Sequence, residues 1–169
     1  MGSEGARRRS VVYEDPQCPY CREFEDVSGD LLRREVAAGA VAVEYRIRSF
    51  LGNESVRAAN ALAAAAEAGR FDAGRFDELR REMFAHQSSE AQWWFHARGL
   101  ASDRSGCRSG CPRVHTAVRQ GRYESWVREI DAVFEGQDSD DTPYAVLDGQ
   151  PMARQALYEA EALGALIRG

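Results

Sequence analysis

Two cysteines separated by two residues stand where a strand pattern gives way to a helical one, and this junction constrains the chain more than any other feature. Val11, Val12 and Tyr13 form a β-prone run, Glu14-Asp15-Pro16 follows, and Cys18-Pro19-Tyr20-Cys21 opens a helical pattern. That pattern carries Phe24, Val27, Leu31, Leu32 and Val36 at helical spacing. Ser28-Gly29 lies inside it and predicts a kink, and Gly39 ends it. Val41 to Ile47 then alternates as a second strand. Strand, cysteine turn, helix and strand make a βαβ unit.

From Glu54 to Gly136 helical patterns dominate, and helices are predicted near 54–69, 73–86, 89–98, 112–120 and 122–134. Strand propensity returns at Tyr144 to Leu147, Asp148-Gly149 reads as a hairpin turn, and Gln150 to Met152 as its partner strand. A last helix is predicted from Arg154 to Ile167, burying Leu157, Ala160, Leu163, Ala165 and Leu166. The order is that of an α/β fold interrupted by a helical block. The expected division is 1–53 and 137–169 for the β-containing domain and 54–136 for a helical insertion.

A cysteine at the first turn of a helix faces unpaired backbone N–H groups and the positive end of the helix dipole, both of which favour a thiolate. Such thiols titrate at roughly 3.5–7.5 instead of about 8.5. The thiolate is the form that attacks a disulfide, and a second thiol two residues on can close on the first and release a mixed disulfide. Pro19 stiffens the turn at a position where its missing N–H costs nothing. Cys18 is thus the candidate nucleophile, low in pKa and solvent-facing, and Cys21 the buried resolving thiol. The alternative for a Cys-x-x-Cys pair is half of a zinc site, which needs a second pair of compatible spacing. Cys107 and Cys111 enclose three residues in a glycine-rich loop and fit that role poorly.

Composition removes other classes. The chain has 169 residues and a net charge of −5, which argues against a general nucleic-acid binder. Arg7 to Arg9 form the only basic run, on what reads as a frayed N-terminus. All 22 basic residues are arginine, so no lysine Schiff base or phosphate-loop lysine exists here. No apolar run approaches the roughly 20 residues that span a bilayer, so no membrane contact is expected from this sequence.

Val11-Val12-Tyr13-Glu14-Asp15-Pro16-Gln17-Cys18-Pro19-Tyr20-Cys21 resembles the DsbA-type branch of the thioredoxin superfamily, in its actinobacterial form. Thr142-Pro143, directly before the returning strand, matches that superfamily's second signature. Further matching stretches are Val43 to Arg46, Arg57 to Asn60 and Gly121 to Tyr123. The resemblance implies a thioredoxin-like fold with a helical insertion and a cis peptide bond before Pro143. It implies a protein-disulfide oxidoreductase, expected to act as an oxidase, with Cys18 and Cys21 catalytic and Pro19, Tyr20, Thr142 and Pro143 contacting substrate. The expected partners are protein or peptide thiols and disulfides and a redox protein that recycles the pair, with no cofactor and no metal. It implies an extracytoplasmic location, or a cytoplasmic one if Met1 is the native start. Two departures stand out. Many members carry a buried acid six residues before the first cysteine; that position is Val12 here, which leaves the role empty or passes it to Glu14 or Asp15. A second cysteine pair of some relatives is replaced by Ala64 and Ala117.

Two other functions remain open at this level: a glutaredoxin-like reductase working with a small thiol, and a non-redox cysteine or metal-binding module. Cys107 and Cys111 are expected to form a local structural disulfide dispensable for exchange; the competing readings are a reduced or accessory redox pair and, after it, a zinc site through Cys107, Cys111, His115 and His96. Trp93, Trp94 and Phe95 are expected in the core of the insertion.

Overall fold

The computed structural model describes residues 1–68, 73–87, 116–117, 119–134 and 141–169. Four strands, β1 (Arg8–Glu14), β2 (Val41–Ile47), β3 (Tyr144–Leu147) and β4 (Gln150–Pro151), form a sheet in the order β2-β1-β3-β4. β1 runs parallel to β2 and antiparallel to β3, so the oldest and youngest parts of the chain are neighbours at the centre. The helices described are α1 (Pro19–Ala37), α2 (Asn53–Ala68), α3 (Ala73–Ala85), α4 (Glu124–Phe134), α5 (Arg154–Leu157) and α6 (Ala160–Arg168). This is the expected thioredoxin-like α/β arrangement, with α2 to α4 between the second and third strands. The helices anticipated at 89–98 and, for the most part, 112–120 lie outside the described residues, as do Trp93, Trp94 and Phe95.

Strand periodicity puts successive residues of β1 on opposite faces. Val12 joins Phe24, Leu31 and Leu32 of α1, Val41 and Val43 of β2, and Leu163 and Ile167 of α6 in one core. Tyr13 faces the other way and packs on Phe134 of α4, with ring centroids 4.9 Å apart. A further core joins Ile47 at the end of β2 to Ala58, Ala59 and Leu62 of α2, Leu79 and Met83 of α3, and Val127 of α4. Ala58, Ala59 and Ala61 are buried where α2 meets its neighbours.

Four expectations need correction. β1 begins at Arg8, so the basic run is not frayed. Asp148 holds Arg8 by an ion pair and accepts a hydrogen bond from Arg9 N–H at 2.8 Å, fastening the start of the strand to the distant hairpin. α1 runs from Pro19 to Ala37 as one helix through Ser28-Gly29. Instead of breaking the helix, Ser28 donates from its buried hydroxyl to the Leu157 carbonyl at 2.6 Å, and Gly29 makes room for the Glu25 carboxylate, which a β-carbon there would run into. Val27, counted with the apolar face, is exposed. The last helix is two, broken at Tyr158-Glu159, and the break turns Ala165 and Leu166 outward while Ala156, Leu157, Leu163 and Ile167 are buried.

Ser28 is the side chain that ties the redox helix to α5. Ser28→Ala leaves a buried carbonyl without that partner, and is expected to cost about 1–3 kcal/mol. Urea unfolding checks this; an unchanged midpoint would show the bond to be irrelevant to stability.

Candidate active site

Cys18 caps α1 in an extended conformation (φ −75°, ψ 119°), and Pro19 occupies the first turn. Its carbonyl accepts the first helical bonds, from Cys21 N–H at 3.1 Å and Arg22 N–H at 3.2 Å, while its own N–H bonds to Asp15 C=O at 2.9 Å. No carboxylate lies in the first turn to oppose a thiolate there. Asp15 holds the approach loop. Buried, it accepts from Gln17 N–H at 2.8 Å, the Ser55 hydroxyl at 2.8 Å and Leu51 N–H at 3.2 Å, which joins the cysteine turn to the start of α2. Burial raises its pKa against these bonds.

The two thiols are free and differ sharply. Cys18 is lowered to about 6, chiefly by the hydrogen bond from Cys21, with burial opposing and the Cys21 and Tyr20 N–H groups assisting. Cys21 is raised well above the usual thiol value, first by burial, then by its pairing with Cys18 and the nearby negative charge of Cys18 and Glu14. One correction concerns access: Cys18 was expected to face solvent, and it exposes only 4 % of its surface. Phe84 of α3 forms a small buried cluster with both cysteines, which accounts for part of the cover.

The bond between Thr142 and Pro143 is cis, as the signature led one to expect. Both residues are buried, and the Thr142 carbonyl accepts from the Cys18 thiol at 3.4 Å, so the sequence-distant loop does meet the cysteine turn. Tyr20 is 54 % exposed beside them. The Arg154 guanidinium sits 5.1 Å from its ring centroid and pairs with Asp141 at 2.7 Å, while the Tyr158 hydroxyl donates to the Tyr20 carbonyl at 3.3 Å. The structure therefore brings Cys18, Pro19, Tyr20, Cys21, Thr142 and Pro143 together. Cys107, Cys111, His96 and His115 lie outside the described residues.

Of the two acids near the Val12 position, Glu14 and Asp15, both are buried, and Glu14, two residues on, shares the Val12 face of the strand. Glu14 is fully buried, gripped by Arg80 Nη1 at 3.0 and 3.2 Å. Arg80, also fully buried, further binds Asp77 at 3.0 Å and Glu25. Burial pushes Glu14 up to about 7, with Arg80 opposing. Arg80, Asp77, Glu25 and Phe84 were missed from sequence because a charged stripe on a helix ordinarily faces water. The available signal was the spacing of Asp77, Arg80 and Phe84, which places all three on one face of α3.

Two outcomes follow from this chemistry. In reduced protein, alkylation should modify Cys18 with a midpoint near pH 6 and leave Cys21 largely untouched; labelling of Cys21 first would reverse the assignment. A carboxyl raised in the folded state takes up a proton that the unfolded chain releases. Between about pH 4.5 and about 7, therefore, Glu14's contribution to stability falls as pH rises. Chemical denaturation of wild type and Glu14→Gln across that window should show a steeper fall in the wild type, the difference being Glu14's share.

The family model described as "Thioredoxin" matches residues 1–167. No curated protein matches the chain. Among solved structures, BdbD from Bacillus subtilis superposes with a TM-score of 0.78 at 17% identity, covering 99% of this chain and 89% of its own. MdbA from Actinomyces oris, a thiol-disulfide oxidoreductase, gives 0.80 at 16% identity over 97% and 81%. DsbA from Mycobacterium tuberculosis gives 0.69 at 25% identity over 90% and 80%. With its cysteine pair at the start of α1 and its cis-proline loop against Cys18, the chain belongs to the thioredoxin family and has the DsbA-type fold.

Proposed function

We propose that the chain is a protein thiol–disulfide oxidoreductase working through Cys18-Pro19-Tyr20-Cys21, and that it acts as an oxidase. The observation that carries the direction is the opposed acidity of the two thiols, Cys18 held near 6 and Cys21 held well above the usual value. Starting from the Cys18–Cys21 disulfide, a substrate thiolate attacks Cys18 Sγ, the bond between the two protein sulfurs breaks, and Cys21 leaves and takes up a proton. A second substrate thiolate then attacks the substrate sulfur of the mixed disulfide. Cys18 leaves as a thiolate, the substrate gains a disulfide, and its two electrons rest on the protein pair. A good leaving group is a low-pKa thiol, so an acidic Cys18 favours this direction and stabilises the reduced protein.

The exposed Tyr20 offers an extended substrate segment an aromatic surface, and the Thr142 carbonyl, buried and held by the Cys18 thiol in the reduced protein, becomes a hydrogen-bonding edge once that thiol no longer donates to it. Recycling requires a redox partner able to remove the two electrons. A donor of disulfides works where disulfides persist, so the proposal includes an extracytoplasmic location.

The experiment is equilibration with a glutathione redox buffer, followed by turnover of a reduced peptide carrying two thiols. A strongly oxidising couple is expected, together with loss of turnover in Cys18→Ser and a trapped mixed disulfide in Cys21→Ser when that variant is offered an oxidised peptide. A couple as reducing as glutathione-dependent reductases, with activity only on glutathionylated substrates, would replace this reading with the small-thiol one.

A further inference from the structure

One face of α3 runs from the end of β1 toward the cysteine turn. Asp77, Arg80 and Phe84 recur at intervals of three and four, and Gln87 follows at the next such position. Gln87 lies just past the helix, its N–H still bonded to Phe84 C=O at 3.1 Å. The last three make contacts progressively closer to the turn. Arg80 holds Glu14 at the end of β1, and Phe84 covers both sulfurs. Gln87 Nε2 donates to Pro16 C=O at 2.9 Å and to Cys18 C=O at 3.0 Å.

The Gln87 contacts are the unexpected part. Both acceptors belong to the short segment that carries the nucleophile, 71 and 69 positions away in sequence. Cys18 C=O is also the acceptor that starts α1, so a donor on it fixes the orientation of the helix's first turn. Pro16 C=O is the negative end of another peptide dipole two residues from the sulfur. Donation to both offsets negative charge beside Cys18, and it does so from a side chain the turn itself does not contain.

We propose that Gln87 is a positioning residue for the redox turn: through the Pro16 and Cys18 carbonyls it holds the N-terminus of α1 in the orientation that favours a Cys18 thiolate. This rests on the reading of Cys18 as nucleophile. Gln87 touches no reacting atom; it acts through the backbone of the turn. The geometry gives the segment just past α3 a hand in how acidic, and hence how oxidising, the pair is.

The test compares wild type with Gln87→Met, which preserves length without a donor, and Gln87→Ala. In reduced protein the pH midpoint for Cys18 alkylation is expected to rise by about half to one unit, the size of one lost hydrogen bond. The glutathione equilibrium is expected to shift about three- to tenfold toward the protein disulfide, because the reduced form loses stabilisation. Both variants moving together supports the inference. Midpoint and equilibrium both unchanged, whatever happens to thermal stability, would reduce Gln87 to a structural brace and overturn it. The alkylation midpoint is read in reduced protein and does not depend on substrate. If wild type fails to oxidise a dithiol peptide while the midpoint still moves, the oxidase reading falls and the role of Gln87 stands.

Discussion

The buried guanidinium of Arg80 is the interaction around which the parts of this molecule are arranged. It joins β1 through Glu14, α1 through Glu25 and its own helix through Asp77, and its charge lies 4.1 Å from the Tyr45 ring centroid of β2. Arg33 reaches the same acids from the more exposed side, bonding Glu25 at 2.7 Å. Taking so many charges out of water is costly, and their attraction repays that cost only when geometry and hydrogen bonding are nearly complete. The cluster is therefore better understood as fixing where elements sit than as adding net stability. An apolar contact in its place would tolerate sliding of α3 against β1. A guanidinium with carboxylates on three sides does not.

That rigidity matters because the two sulfurs need different surroundings within one helical turn. Cys18 is at the end of the helix, where backbone N–H groups converge, and Cys21 is one turn inside, against Phe84 and near Glu14. The same burial that keeps Cys21 protonated keeps Glu14 partly protonated near neutrality, so the interior carries less negative charge than its residues suggest. Three contacts then fix the loop: the Asp15 carboxylate accepts from Gln17 N–H within it, the Thr142 carbonyl accepts from the Cys18 thiol, and the Gln87 side chain donates to the Cys18 carbonyl.

Much of this was legible in the chain. The cysteine pair, the strand before it, the Thr142-Pro143 dipeptide and the Asp148-Gly149 hairpin each depend on local chemistry that a few residues specify. What was not legible depends on a tertiary partner. Gly29 reads as a helix breaker until Glu25 is found occupying the space above it. Leu166 reads as core until the turn at Tyr158 rotates the last helix. Arg80 and Gln87 read as surface until α3 is laid against the turn, since long polar side chains carry no sign of what they will meet. The limited exposure of Cys18 belongs to the same class, because its cover comes from other elements.

The central strand pairing has a consequence for how the molecule is made. Arg9 N–H and the Asp148 carboxylate that receives it are 139 positions apart, and β1 meets β3 over a comparable separation. At synthesis rates of about 5–20 residues per second, β1 waits roughly 7–28 seconds for its antiparallel neighbour. Throughout that interval the cysteine turn exists without the loop that later closes over it. The closing of the sheet by the β3–β4 hairpin is the event that brings the Thr142 carbonyl to Cys18, so the site is assembled only after the residues of that hairpin have been made.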